Sequence, residues 1–207
     1  MTEPTPLDRK LLAATERLGR ALRAARQQLA TRHHLSLLQL QIVEQLADER
    51  LRRIGDLAAE LDVSQPTVSD ALGALEQKGF ATRRPDPGDR RATTIALTPA
   101  GSALAELAAT ELAPLLATNE TTSADDRATA LRVLLTEIAR LQHAGVITVN
   151  RSCLTCHHYQ PPRPRTLAHC HLLDQPLTNH DLRVDCPEHA TPGSGRFSVG
   201  GPVRSWQ

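Results

Sequence analysis

The chain has 207 residues, 24 Lys and Arg against 23 Asp and Glu, and a formal net charge of +1. That length suits one ordinary domain plus a smaller module rather than a large enzyme, and the balanced charge by itself points to no partner. Aromatic residues make up 2% of the chain, so the core must come from the Leu and Ala that crowd its first two thirds and favour helices. No run approaches the roughly eighteen apolar residues of a membrane span, and the opening MTEPTPLDRK has no apolar segment behind a basic one; the expectation is a soluble cytoplasmic protein.

Leu7, Leu11, Leu18, Leu22, Ala25 and Leu29 form an apolar stripe with arginines between, which predicts a long amphipathic helix. Ser36 and Gln39 fit a capping box before Leu37, Leu40, Val43 and Leu46, so a second helix starts there. Ile54, Leu57, Leu61, Val63, Val68, Leu72 and Leu75 then describe two short helices joined near Asp62 to Ser64. Ser64 can cap the second of them, Pro66 sits in its first turn where a missing N–H costs nothing, and Gly79 stops it. Two short helices around a tight turn make a helix-turn-helix, whose second helix offers its N-terminal residues to a DNA major groove. Those residues are Ser64, Gln65, Thr67, Ser69 and Asp70. Gln pairs bidentately with adenine, and Ser and Thr bond base edges or phosphates.

FATRRPDPGDRRATTIALTPAG places short runs on either side of a turn rich in Pro, Gly and Asp, a β-hairpin pattern. Arg83 and Arg84 enter the turn and Arg90 and Arg91 leave it, a concentration of cations suited to phosphates or a minor groove. Taken together, residues 36 to 101 resemble the winged helix-turn-helix core of the MarR family of bacterial transcription regulators. LAAELDVSQPTVSDALGALEQKGF is similar to its helix-turn-helix and DPGDRRATTIALTPAG to its wing. The resemblance implies a homodimer on a pseudo-palindromic double-stranded DNA operator. It puts Ser64, Gln65, Pro66, Thr67 and Ser69 at base and phosphate contacts and Arg90 and Arg91 on the wing, and it makes Asp89 a residue that orients an arginine. Asp70 departs from the pattern, as an acid where a base would meet phosphate more easily.

Thr98 and Pro99 then match an N-cap with Pro at the first helical position, and Leu104, Leu107, Leu112, Leu115 and Leu116 extend a helix that Pro114 should bend or end. Ser123 with Asp125 and Asp126 starts another, whose stripe runs through Leu131, Leu134, Leu135, Ile138 and Leu141 to Gly145. From the family's architecture, residues 7–29, 99–117 and 124–143 are assigned to the dimer interface.

The first 152 residues hold no cysteine and the next 34 hold four, Cys153, Cys156, Cys170 and Cys186, spaced C-x2-C-x13-C-x15-C among several histidines. The segment has few apolar residues and many prolines, so it should need a staple rather than a core of its own. Disulfides fit a reducing compartment poorly. A metal centre on the four cysteines is the better expectation: an iron–sulfur cluster, which the Cys186-Pro187 pair favours, or Zn2+, for which His157, His169 or His189 could replace one thiolate. Arg151, Arg163, Arg165 and Arg183 can offset the thiolate charge.

The fold class read from the sequence is therefore mainly α: a winged helix-turn-helix with dimerisation helices over 7–148, a Cys/His-rich metal-binding module over 149–189, and a tail over 190–207 with the composition of a disordered segment. The functional expectation is a sequence-specific DNA-binding transcriptional regulator, most simply a repressor, whose affinity a four-cysteine centre modulates in response to iron, oxygen or redox state. The competing readings are a regulator answering an aromatic small-molecule ligand with a structural zinc module, and a redox carrier or enzyme. No catalytic residue is assigned.

Overall fold

A computed structural model of the chain describes residues 3, 5–47, 52–86, 89, 92–116 and 122–192. The chain divides into two compact units, Met1–Asn119 and Glu120–Gln207.

The first unit opens with α1, Pro6–Arg32, whose N-cap Thr5 accepts from the Asp8 N–H while the Asp8 carboxylate accepts from the Thr5 N–H. Its apolar stripe splits in two: Leu29 is buried in the core, whereas Leu7, Leu11 and Leu18 are more than half exposed. The helix α2, Leu37–Leu46, begins at the Ser36–Gln39 capping box and buries Leu40, Ile42, Val43 and Leu46. A two-residue strand β1, Arg52–Arg53, leads into α3, Ile54–Glu60, and then α4, Gln65–Gln77. Between these helices Asp62 takes a φ of 53°, a left-handed conformation that Asp tolerates better than most side chains. Gly79, with φ 75°, turns the chain out of α4.

The strands β2, Ala81–Pro85, and β3, Thr93–Leu97, pair antiparallel as the predicted hairpin. The antiparallel order β1-β3-β2 adds a strand that two arginines without periodicity could not announce. α5, Pro99–Leu116, starts at Thr98, whose Oγ1 accepts from the Gly101 N–H at 3.1 Å and donates to the Gly79 carbonyl at 2.6 Å. Gly101 is forced by close approach: a Cβ there would lie 2.0 Å from the Phe80 carbonyl oxygen. Pro114 stands inside α5, in its last turn. The Leu116 side chain lies outside the described residues. The core of the unit is aliphatic throughout, joining Leu29, Leu40, Val43, Leu57, Val68, Leu72, Leu75, Ile95 and Leu112.

The second unit begins with α6, Ala124–His143, capped by Ser123, whose Oγ accepts from the Asp126 N–H at 3.0 Å. Single 3-10 turns at Cys153–Thr155 and Asn179–Asp181 flank a small antiparallel sheet of β4, Tyr159–Gln160, β5, Ala168–Cys170, and β6, Gln175–Leu177. The sequence draws the domain boundary at 148 and denies the cysteine-rich segment a core. The fold corrects both points by a single device, since α6 packs with that segment. Leu131, Leu135 and Ile138 close a core over Cys153, Leu154, Ala168, Leu177 and Leu182. Residues 193–207, most of the expected tail, lie outside the described residues. No helix among the described residues is long and apolar enough to cross a membrane.

Candidate functional site

The helix α4 is two-sided by sequence. Val68, Ala71, Leu72 and Leu75 recur at helical spacing and are buried, which fixes the rotation of the helix and leaves Ser64, Gln65, Pro66, Thr67 and Asp70 exposed at its N-terminal end. Ser69 is half-buried rather than fully presented. Ser64 Oγ accepts from the Thr67 N–H at 3.3 Å and lies 2.7 Å from Thr67 Oγ1, so both hydroxyls are held in place. The Gln65 amide lies against Gly55 of α3, at 3.3 Å from where a Cβ would stand. The first turn of α4 therefore offers backbone N–H groups and short polar side chains from a rigid support, a surface suited to phosphates and base edges.

The hairpin supplies cations of unequal availability. Arg83 donates from Nε to Glu76 Oε2 at 3.1 Å, and its charge is matched within the protein. Arg84 is exposed and makes no ion pair among the described residues. Arg90 and Arg91, with Pro87 and Gly88, lie outside the described residues. Asp89 accepts at its carbonyl from the Ala92 N–H at 2.8 Å, and its N–H donates to the Asp86 carbonyl at 3.3 Å. A residue that sequence reasoning missed is Arg53 of β1. Its Nε and Nη2 reach Asp86 at 2.9 and 2.7 Å, and the hydrogen bond and charge of Asp86, with a smaller contribution from Asp89, raise its pKa. Arg53 thus belongs to the base of the wing, where only the third strand could bring it.

In the second unit, residues far apart in the chain come together: Cys153, Cys156, Cys170 and Cys186 all line one pocket of about 30 Å³. All four are free thiols. Among the described residues no three His, Cys, Asp or Glu side chains converge as ligands of a single metal ion. The Arg183 N–H donates to Cys153 Sγ at 3.2 Å, and its guanidinium lies 3.6 Å from Cys186 Sγ and 3.2 Å from Glu188. Burial pushes the Cys153 and Cys186 thiols up, while Arg183 draws both down. Arg151 is paired with Asp185 at 2.7 Å. Of the histidines only His158 lines this pocket. The three expected as alternative ligands are turned to other duties or to solvent: His169 Nε2 stands 3.2 Å from Asp174, His189 Nε2 lies 3.1 Å from Thr155 Oγ1, and His157 is exposed.

Residues 35–93 match the model of the MarR family. No curated protein matches the sequence. Among solved structures, a mutant of MepR from a multidrug-resistant S. aureus clinical isolate is similar at a TM-score of 0.52 and 20% identity, over 63% of this chain and 95% of that one. A MarR-family transcriptional regulator from Silicibacter pomeroyi gives a TM-score of 0.54 at 22% identity, over 66% of this chain and 90% of its own. A cysteine-to-serine mutant of MarR from E. coli, complexed with operator DNA, gives 0.50 at 21%, over 62% and 93%. At these identities the likeness shows the fold, a winged helix.

Proposed function

We propose that this chain is a MarR-type transcriptional regulator: a homodimer that binds double-stranded operator DNA through α4 and the wing, and whose affinity a centre at the four cysteines adjusts. The observation that carries the DNA reading is the division of α4 into a buried apolar face and an exposed polar N-terminal turn beside a basic hairpin. A similar fold is the one solved with operator DNA for the E. coli MarR mutant. Ser64, Gln65, Thr67 and the exposed edge of Ser69 meet bases and phosphates, Pro66 shapes the turn, and Arg84, Arg90 and Arg91 contact the backbone or the minor groove. Arg83, held by Glu76, contributes less, and Asp89 acts on arginines of the wing rather than on DNA. Two α4 helices related by a twofold axis would read half-sites about one helical turn apart.

Dimerisation rests on the apolar surface left over by each unit. Leu7, Leu11, Leu12 and Leu18 on α1, Leu107 and Leu115 on α5, and Val133 and Leu134 on α6 are all exposed large hydrophobics. So many on three helices is the pattern of surfaces that a second subunit covers. Sedimentation that returned only a 22.5 kDa species at micromolar concentration would refute it.

The donor set of the cysteine pocket, four thiols and no other ligand type in common, suits an iron–sulfur cluster or Zn2+. Sulfurs too dispersed to share one ion favour the cluster, whose irons each take one thiolate; the narrowness of the pocket favours the single ion. A cluster bound there would supply redox and oxygen sensitivity. The chain's own contribution is the Arg183 N–H and guanidinium, which offset negative charge on Cys153 and Cys186. Cys153 also packs in the same core as Leu135 of α6, so changes at the thiols reach a helix of the dimer surface through direct contact. Coupling of about 1 to 3 kcal/mol would alter operator affinity roughly 5- to 150-fold.

The deciding experiment is an absorption spectrum with metal and sulfide analysis of protein purified without oxygen, followed by operator binding before and after oxidation. Iron with sulfide and an affinity that shifts on oxidation support the reading; one zinc per chain replaces the cluster by the ion. Loss of the metal in the Cys153→Ser, Cys186→Ser variant with unaltered affinity and dimer stability would refute the coupling.

A further inference from the structure

The helix α6 has a third face, used neither by the core of its unit nor by the outward stripe. Asp125, Ala128, Thr129, Arg132, Thr136 and Ala139 recur at helical spacing along it and form one wall of a groove of about 880 Å³. That volume falls within the range of small-molecule sites, roughly 300–1,000 Å³. The facing wall is apolar, with Leu154, Tyr159, Pro161, Pro162, Leu177 and Leu182. At about 100° per residue, Ala130, Leu134 and Leu141 lie on the opposite side of α6 from Arg132. A partner subunit seated on those residues therefore leaves the groove open.

The charges of the groove do not cancel. Asp125 and His180 pair with each other at 3.0 Å at one end. Arg132, midway along the α6 wall, makes no ion pair among the described residues. Its guanidinium is close enough to Tyr159 to draw the phenol down against burial and Cys153, which raise it. A lone cation over apolar walls, two of whose residues are prolines and one a tyrosine, calls for a single anionic group on a flat apolar body.

We propose that this groove binds a small organic carboxylate with a flat, apolar body, with Arg132 taking the carboxylate. The site lies wholly within the second unit, and it depends neither on DNA binding nor on a metal centre. A carboxylate is the anion of choice because one guanidinium grips its two oxygens side by side, whereas a phosphate would leave charge unmatched in an apolar groove.

Calorimetry on the full-length protein with 1-naphthoate and with its uncharged amide tests the proposal. The acid should bind at least about tenfold more tightly than the amide, because a hydrogen bond to a charged partner separates them. Arg132→Gln should bring the acid down to the level of the amide and leave the amide unchanged. Thr136→Phe, at an exposed position of the same wall, should abolish both while keeping the circular dichroism of the parent; should that variant misfold, Arg132→Gln alone decides. Equal binding of acid and amide, indifference of the acid to Arg132→Gln, or no binding up to millimolar concentration overturns the proposal. Operator binding by the same preparations reports separately on the regulator reading.

Discussion

Replacing Gly101 by Ala sets two opposed effects against each other at one position. Helix propensity favours Ala over Gly by about 1 kcal/mol. Against this, the new methyl would stand 2.0 Å from the Phe80 carbonyl oxygen, 3.0 Å from its carbon and 3.1 Å from Leu97 Cδ2. Two of these neighbours are backbone atoms and cannot rotate away. The start of α5 would have to retreat by roughly 1.5 Å to reach an ordinary contact. That retreat pulls on the Thr98 N–H, which donates to the same Phe80 oxygen at 3.0 Å, and on the Thr98 hydroxyl that bonds Gly79 and caps the helix. Overpacking of this kind costs about 1–3 kcal/mol, and each hydrogen bond lost about 1 kcal/mol more. The net expectation is a loss of about 2–4 kcal/mol. Gly73 of α4 provides the control, since a Cβ there meets nothing within 4 Å. Gly73→Ala should gain up to about 1 kcal/mol from the same propensity. Urea unfolding of both variants at one fixed protein concentration, which a dimer requires, reads the difference directly. A Gly101→Ala midpoint equal to that of the parent, or an equal loss in Gly73→Ala, would refute the close-approach argument.

Ser64→Ala should cost about 1 kcal/mol in urea unfolding through loss of the α4 cap, and should weaken operator binding further because Thr67 loses its hydroxyl partner. Arg84→Ala should lower the slope of log affinity against log salt by about one, whereas Arg83→Ala, whose charge Glu76 already matches, should change it less; equal slopes would show that the ion pair does not persist on DNA. Gln65→Ala should relax base preference at one position per half-site, at about 1–3 kcal/mol in competition binding with altered sites.

The first unit was largely legible because its helix ends carry chemical signatures within three or four residues. Ser36 with Gln39, Ser64, Thr98 and Ser123 each cap where local spacing places them. The strand β1 was not, because two arginines have no alternation, and the residues that make them a strand, Thr94 and Ile95, lie far along the chain. Arg53 was missed for the same reason. In the second unit the strands are two or three residues long, below the length at which a period can be counted. The segment looked coreless because its apolar partners, Leu131, Leu135 and Ile138, precede it on a helix whose stripe reads as belonging to another surface. That stripe is wide enough to serve more than one neighbour, a property that a count of leucines cannot reveal. The groove beside Arg132 had no local signal at all, since its walls are drawn from α6 and from loops and strands well beyond it in the chain.

Tyr159 is the only tyrosine in the chain. It belongs to the wall that the α6 groove and the cysteine pocket have in common. Protein grown on fluorotyrosine would accordingly show one fluorine resonance, reporting from that partition without any engineered label. An acid entering on one side and oxidation of thiols on the other would each displace the same line, and the order in which they do so could be followed in a single sample. The scarcity of aromatic residues that obliges the core to be aliphatic also leaves this spectrum uncrowded.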